Sequence, residues 1–220
     1  LKDNTALVLD LKGQLVEQRT VDSLSAAIAN SQGDNENAEI QLRDVLAVLE
    51  QAKTDPKITH VLLNTEGFSV MGMASLRELV KALQDFKTSK KPVYAFANGY
   101  EQKQYLLAAQ ADKVFMDPEG GMMFEGLGRY RLYYREALQD KLGVDVHLFR
   151  VGEYKSAAEP YILDAASTDA KEADLYWMSD IWQRYLDQIA KARKIEKAQI
   201  VQAINEMPAR LVNAKGDLAQ

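Results

Sequence analysis

Lys155 is the residue of this sequence that is best suited to catalysis. It stands between Tyr154 and Ser156 in the stretch Arg-Val-Gly-Glu-Tyr-Lys-Ser-Ala-Ala-Glu-Pro, which runs from 150 to 160. This setting, just past a predicted strand, could hold an ammonium group out of water, and a desolvated lysine loses its proton more readily. A neutral lysine is one of the few general bases that can activate a serine without a histidine. The alternative interpretation is an ordinary surface lysine on a loop.

Other catalytic groups are poorly represented. The chain has no cysteine, which excludes disulfides, thiolate zinc sites and a cysteine nucleophile. The two histidines, His60 and His147, fall on predicted strands, where a structural role is commoner than a catalytic one. The sequence contains no His-Glu-x-x-His zinc motif and no Gly-x-Ser-x-Gly elbow, so neither a zinc site nor a Ser-His-Asp triad is favoured.

A nucleophile for Lys155 is hard to find among the nine serines. Ser69 and Ser75 lie in predicted turns or helix starts near strand ends, but Ser69 has bulky neighbours where an oxyanion loop needs glycines. Ser156 adjoins the lysine, and neighbouring side chains on extended backbone point apart, so it is interpreted as an orienting hydroxyl. A complete dyad of base and nucleophile within this chain is therefore not favoured.

Acidic and aromatic residues give weaker hypotheses. Four acidic residues are interpreted first as turn or cap residues rather than as a catalytic pair: Asp10, Glu66, Asp117 and Glu159. Four aromatic residues fall on one predicted long helix: Tyr176, Trp177, Trp182 and Tyr185. Helix packing or an oligomer surface is favoured over a ligand site, because tyrosine and tryptophan are enriched at interfaces.

The elements that would position Lys155 alternate between strand and helix. Apolar runs bounded by turn signals predict strands at 6–11, 60–64, 92–97 and 113–116. Apolar stripes with helical spacing, together with capping signals, predict helices near 42–49, 76–83, 101–110, 130–142, 169–193 and 197–206. The alternating residues Val144, Val146 and Leu148 predict a further strand that leads into the lysine segment.

This order of elements predicts an α/β fold of repeated β-α units, with a mainly parallel sheet covered by helices. The first strand is not followed by Gly-x-Gly-x-x-Gly and no Walker loop is present, which disfavours dinucleotide-binding and P-loop folds. Repeated β-α units without a nucleotide signature are typical of the crotonase/Clp-like superfamily. We predict a crotonase-like N-terminal repeat over 1–165, with a polar loop at 30–37, and a helical extension for packing or oligomerisation over 166–220.

The composition restricts the partners of the chain. The net charge is −5 and no long basic block is present, which argues against a nucleic-acid surface. No apolar run approaches the roughly 18 residues needed to cross a bilayer. The sequence begins at Leu1 and stops in what resembles the start of a helix. We therefore expect it to be a piece of a longer protein, whose other parts could carry an anchor or a second domain.

Several phrases resemble the signal peptide peptidase A family (protease IV), which consists of membrane-anchored Ser/Lys peptidases. The most specific phrases are those at 148–160 and 170–174, and further matches lie at 90–95, 105–109 and 111–115. In long, two-repeat members of that family, the N-terminal repeat supplies the lysine and the C-terminal repeat supplies the serine. Because this chain is similar to the N-terminal repeat, the resemblance implies that Lys155 is the general base.

The chain departs from the family pattern at the nucleophile. Serine-bearing repeats have a stretch rich in small residues that ends in Ser-Gly-Gly-Tyr, where this chain has Asn-Gly-Tyr-Glu-Gln-Lys-Gln-Tyr over 98–105. The nucleophile position therefore falls at or beside Gln102. Since glutamine cannot be acylated in this way, we expect the chain to hold half of an active site.

The resemblance also implies a cellular setting and partners. It implies an assembly of four chains, attached by an N-terminal membrane helix absent from this sequence to the bacterial inner membrane, with active sites on the extracytoplasmic (periplasmic) face. The substrates would be the apolar cores of cleaved signal peptides, bound as an added strand. The C-terminal repeat of the same protein would be a partner, and neither a metal nor a cofactor is implied.

Two alternatives stay open. In a non-catalytic scaffold or assembly repeat, Lys155 would form a structural ion pair, which raises the pKa of a lysine, whereas a base needs a lowered pKa. In an acyl-CoA hydratase or isomerase of the crotonase type, a glycine-rich oxyanion loop and one or two catalytic carboxylates are required. The segment 67–72 supplies too few glycines for such a loop, so this alternative ranks last.

Overall fold

The computed structural model describes residues 2–20 and 38–214. The loop predicted at 30–37 lies outside these residues. The chain divides into two compact units, of which the first comprises Leu1–Glu125 with Asp187–Gln220 and the second comprises Gly126–Leu186. The boundary between repeat and helical extension at residue 165 stays a prediction.

Among the described residues, the first unit contains the strands predicted at 6–11, 60–64, 92–97 and 113–116 in that order, together with five short strands that were not predicted. Its strands are β1 (Thr5–Asp10), β2 (Gly13–Val16), β3 (Glu39–Gln41), β4 (Ile58–Asn64), β5 (Phe68–Val70), β6 (Val93–Ala97), β7 (Tyr100–Glu101), β8 (Lys113–Met116) and β9 (Met122–Met123). The α-helices among the described residues are α1 (Leu42–Thr54), α2 (Met73–Lys87), α3 (Gln102–Ala108), α4 (Thr168–Arg193) and α5 (Lys197–Asn213). The first three helices and α5 belong to the first unit, whereas α4 runs from the second unit into the first.

Every strand pair among the described residues is parallel. The largest sheet has the strand order β1-β4-β6-β8, and two smaller sheets have the orders β3-β2-β5 and β7-β9. In the largest sheet Leu9 lies opposite Leu63, which in turn lies opposite Ala95. Helices α1, α2 and α3 lie in the chain between successive strands of this sheet. These features confirm the predicted α/β fold with parallel sheets covered by helices.

The core of the first unit is built from the inward residues of β4 and β6 and from the apolar stripes of α1 and α2. Its fully buried members include Val61, Leu63, Val93, Ala95, Leu49, Leu76, Leu83 and Phe86. The opposite face of the largest sheet exposes Val8, Leu62, Phe96 and Phe115. The sequence predicted a mainly parallel sheet covered by helices, but an apolar run does not reveal whether both faces of a strand are covered. Among the described residues, one face of this sheet is open.

The second unit has little regular structure before α4. It contains a π-helical turn (Glu136–Lys141) and a 3-10 turn (Glu159–Tyr161). The helix predicted over 130–142 is therefore formed only in its second half. The strand predicted through Val144, Val146 and Leu148 is wrong, since 143–150 carry no strand in the structure. A strand requires a neighbouring strand with which it can form hydrogen bonds. Among the described residues, this segment pairs with no other strand.

Helix α4 begins one residue before its predicted start and ends at the predicted residue, Arg193. Its N-terminal cap is Ser167, because Ser167 Oγ accepts a hydrogen bond from the Ala170 backbone N–H at 3.1 Å. Helix α5 continues seven residues beyond its predicted end to Asn213, with Pro208 inside it. Within residues 2–20 and 38–214, none of the helices has both the length and the apolar character needed to cross a membrane.

Candidate active site

Lys155 lies on a tight turn of the second unit. Its backbone N–H donates to the Gly152 carbonyl at 3.4 Å, and the Ser156 N–H donates to the Tyr154 carbonyl at 3.0 Å. Gly152 has a φ of +103°, a conformation that favours glycine, so the turn requires the glycine of the motif. The lysine stem lies over this residue, because a Cβ added to Gly152 would be 3.9 Å from Lys155 Cε. The lysine segment is therefore a defined turn rather than the end of a strand.

The amine of Lys155 is exposed, contrary to the expectation that its setting keeps it out of water. The neighbouring Tyr154 is also exposed and does not cover it. Sequence neighbours could not reveal this, because desolvation depends on residues distant in the chain or in another chain. Among the described residues Lys155 Nζ has neither a hydrogen-bond partner nor an ion-pair partner. The structural ion pair expected for a scaffold is thus not formed within this part of the chain.

A buried carboxylate lies at the end of the lysine turn. Glu159 is 0% exposed, although the sequence suggested only a turn or cap residue. Its Oε1 accepts the Ser167 hydroxyl at 2.6 Å and the Arg150 guanidinium at 3.4 Å, and its Oε2 accepts the Ser167 backbone N–H at 3.2 Å. Burial raises the pKa of Glu159, but the bonds from Ser167 and Arg150 together outweigh burial, so the pKa lies below the ordinary value of 4.5. Glu159 is therefore a buried anion.

Glu159 should make the stability of the protein depend on pH. A carboxyl whose pKa is lower in the folded state stabilises the fold above its unfolded pKa, and this stabilisation is lost as the pH falls through the folded pKa. We expect Glu159→Gln to lower the free energy of unfolding near pH 7 by about 1.5–3 kcal/mol, the usual contribution of hydrogen bonds to a charged group. The difference between wild type and variant should shrink at about pH 3.5, measured by urea unfolding followed by circular dichroism. A difference that is the same at both pH values would contradict the ionised state of Glu159.

Two arginines hold the backbone on either side of the lysine turn. Arg150 Nη1, which contacts Glu159, also donates to the Lys155 carbonyl oxygen at 3.0 Å. Arg131 Nη1 donates to the Ser156 carbonyl oxygen at 3.1 Å. Sequence reasoning treated Arg150 only as part of the motif, and the Glu-Pro pair at its end was the one signal that Glu159 has a specific role.

The position predicted for the family's nucleophile lies in the first unit. Gln102 is the first residue of α3, and the Glu101 side chain accepts a bond from the Gln104 backbone N–H while the Gln104 side chain accepts one from the Glu101 N–H. The first turn of a helix presents backbone N–H groups, which suit an oxyanion when a serine occupies such a position. Here a glutamine occupies it, and its correspondence with the nucleophile stays a prediction.

The serines at 69 and 75 and the two histidines each have a hydrogen-bond partner or are exposed. Ser75 Oγ donates to Glu17 at 3.2 Å, and Ser69 is exposed on β5. His60 Nδ1 lies 2.9 Å from Thr59 Oγ1, and His147 is exposed in the segment without a strand. Among the described residues, no hydrogen bond joins any of these groups into a catalytic pair.

The remaining acidic and aromatic candidates are structural in this chain. Asp10 accepts the Asn64 amide, Glu66 accepts the Asn98 backbone N–H, and Asp117 accepts the Glu119 backbone N–H. The Asp117 contact is that of a turn residue, whereas Asp10 is the last residue of β1 and Glu66 contacts a residue distant in the chain. The aromatic set of α4 separates into an exposed pair, Tyr176 and Trp177, and a stacked pair, Trp182 and Tyr185.

Comparison with known proteins identifies the family. Peptidase family S49 matches the chain over residues 85–213, a range that includes both Gln102 and the lysine turn. The chain belongs to peptidase family S49. This membership confirms the resemblance derived from the lysine phrase.

Two curated relatives of this S49 chain are bacterial. Protease 4 of Salmonella typhi is 37% identical over 221 residues, which cover 98% of this chain and 35% of that protein. Protease 4 of Haemophilus influenzae is 34% identical over 219 residues, which cover 99% of this chain and 35% of that protein. The S49 chain therefore spans 35% of the length of these relatives.

Proposed function

We propose that this S49 chain is the lysine-bearing part of a membrane-anchored serine peptidase with a Ser/Lys dyad. Lys155 is the general base for a serine that another part of the same protein supplies. The observation that carries this proposal is the Lys155 amine, which is exposed and unpartnered among the described residues while its backbone is tied to a buried carboxylate. A surface lysine without a catalytic role does not require its backbone to be held by a buried carboxylate.

In the proposed reaction, the Lys155 amine carries a proton in each of the two halves, the formation and the hydrolysis of an acyl-enzyme. In its neutral form the Lys155 amine accepts the proton of the serine hydroxyl as the serine oxygen attacks the peptide carbonyl carbon. The resulting ammonium then donates that proton to the departing amine, which leaves an acyl-enzyme. Water, deprotonated by the same amine, then attacks the acyl carbon, the ester bond to the serine breaks, and the ammonium returns its proton to the serine oxygen. Docking of the serine-bearing part and the substrate over the exposed amine removes it from water, which favours the neutral form.

The serine is proposed to lie outside residues 1–220. Ser69 and Ser75 lie in the first unit and are not hydrogen-bonded to a lysine or histidine among the described residues, and Gln102 occupies the position predicted for the nucleophile. The relatives are almost three times as long as the matched region, which leaves room in such proteins for a second repeat. These observations support a half-site in this chain.

The proposed substrates are apolar peptides, above all the cores of cleaved signal peptides. Phe149 and Val151 flank Arg150 at the entrance to the lysine turn and are 94% and 85% exposed. Apolar side chains of this size can pack against the side chains of an extended apolar peptide. The relatives are bacterial, which is consistent with the proposed site on the extracytoplasmic face of the inner membrane, in a homotetramer anchored by an N-terminal helix.

Cleavage of two matched peptides by the full-length protein tests the proposed substrate class. One fluorogenic peptide has an all-leucine core, and the other has lysine at two of those core positions. We expect kcat/KM to be at least about tenfold higher for the apolar peptide, because each buried leucine contributes about 1.5–3 kcal/mol. Equal cleavage would contradict the proposed substrates, and cleavage of neither peptide would favour the scaffold alternative.

A further inference from the structure

Glu159 is buried at a cost that packing alone does not explain. A carboxylate removed from water destabilises the fold unless it is paired and hydrogen-bonded, and an apolar side chain would fill the same space without this cost. Glu159 accepts bonds from Ser167 Oγ, Ser167 N and Arg150 Nη1. We call Arg150, Glu159 and Ser167 the brace.

The brace connects the lysine turn to the start of α4. Ser167 caps α4 through its bond with the Ala170 N–H, and the same hydroxyl donates to Glu159. The positive end of a helix dipole also favours a carboxylate near the first turn. On the other side, Arg150 Nη1 joins the Glu159 carboxylate to the Lys155 carbonyl oxygen. The backbone of Lys155 is thereby tied to a helix of 26 residues.

From these contacts we propose that Glu159, acting through Arg150, fixes the backbone at Lys155 and so determines where the amine lies. Arg150 and Glu159 are positioning residues, since neither contacts the Lys155 amine. This inference rests on the proposed role of Lys155 as the base. A lysine side chain has four rotatable bonds, so a backbone that is free to move would displace the amine relative to the serine, and a misplacement of about 1 Å can reduce the rate about 100-fold.

Steady-state kinetics of the full-length protein test this role through the variants Glu159→Gln and Arg150→Gln. We expect kcat to fall about 10- to 100-fold, with KM changed less than about threefold, because the alignment of base and nucleophile is lost while substrate binding remains. The acidic limb of the pH–rate profile, which reports the base, should shift in both variants. Arg150→Lys, which keeps a positive charge beside the buried carboxylate, should recover part of the loss.

Arg135→Gln is the matched control. Arg135 lies in the same unit and forms ion pairs with Asp140 and Asp164, but no hydrogen bond or ion pair joins it to the lysine turn among the described residues. Its loss removes ion pairs to two exposed carboxylates, so kcat should stay within about twofold of wild type if only the brace matters. Circular dichroism establishes that each variant is folded, and Arg150→Lys decides the matter if Arg150→Gln does not fold.

Lys155→Ala, measured in parallel, separates failure of this inference from failure of the proposed function. An inactive Lys155→Ala with folded brace variants that keep wild-type kcat and an unchanged pH profile would overturn the brace alone. An active Lys155→Ala would overturn both. An equal loss in Arg135→Gln would also overturn the brace, because it would show a general effect of lost ion pairs.

Discussion

Lys155→Ala in the full-length protein is expected to hydrolyse an apolar fluorogenic peptide at least about 1000-fold more slowly than wild type. Removal of a general base alone costs about 100- to 10,000-fold, and removal of one member of a catalytic unit can cost as much as removal of all. The fold should persist, because the side chain is exposed and among the described residues its amine has no partner to leave unpaired. The measurements are kcat/KM and circular dichroism.

Lys171→Ala provides the control for the loss of one positive charge. Lys171 is an exposed lysine of α4 in the same unit, and its substitution should leave kcat/KM within about twofold of wild type. A folded Lys155→Ala that keeps activity close to that of Lys171→Ala would contradict the assignment of the base and favour the scaffold alternative.

The second prediction with a large expected effect concerns the location of the serine nucleophile. A fluorophosphonate, which reacts with activated serines, should label the full-length protein and should not label the 220-residue chain alone. The reason is that Gln102 stands where a serine is predicted, and none of the serines at 69, 75 and 156 is hydrogen-bonded to a lysine or histidine side chain among the described residues. Mass spectrometry of the labelled peptides measures this result.

Gln102→Ala is the companion variant for the labelling experiment. If the serine comes from elsewhere, this substitution should leave labelling of the full-length protein within about threefold of wild type, since it removes no nucleophile. A covalent adduct on any serine of residues 1–220 would contradict the half-site and would place the complete dyad in this chain.

Local patterns were sufficient to predict most of the first unit. The stripe of Leu42, Val45 and Leu49 specifies α1 because residues three and four apart share one helix face, and all three are buried as expected. Strand β4 was recognised from its apolar run, and its parallel pairing follows from the helices on either side. These signals lie within short windows of the sequence, so they do not depend on the rest of the fold.

Features that depend on distant partners could not be predicted. The alternation of Val144, Val146 and Leu148 is typical of a strand, but pairing requires a second strand that the described residues do not provide. Glu159 was interpreted as a turn residue because sequence does not reveal that Ser167 and Arg150 converge on its carboxylate. The exposure of Lys155 likewise depends on what covers the turn. The motif identified Lys155 as the candidate base, whereas the residues that hold its backbone could not be predicted.

Chemical rescue at residue 155 tests the central claim most directly. The 220 residues contain no cysteine, so Lys155→Cys in the full-length protein introduces a thiol into a stretch that otherwise has none. Treatment with 2-bromoethylamine converts that thiol into a thioether that carries an amine at the end of a chain as long as that of lysine. We predict that the Lys155→Cys variant is inactive, that aminoethylation restores kcat/KM to within about tenfold of wild type, and that alkylation with iodoacetamide restores nothing. Complete aminoethylation of a folded protein without recovery, or full activity before the treatment, would contradict the role of Lys155 as the base.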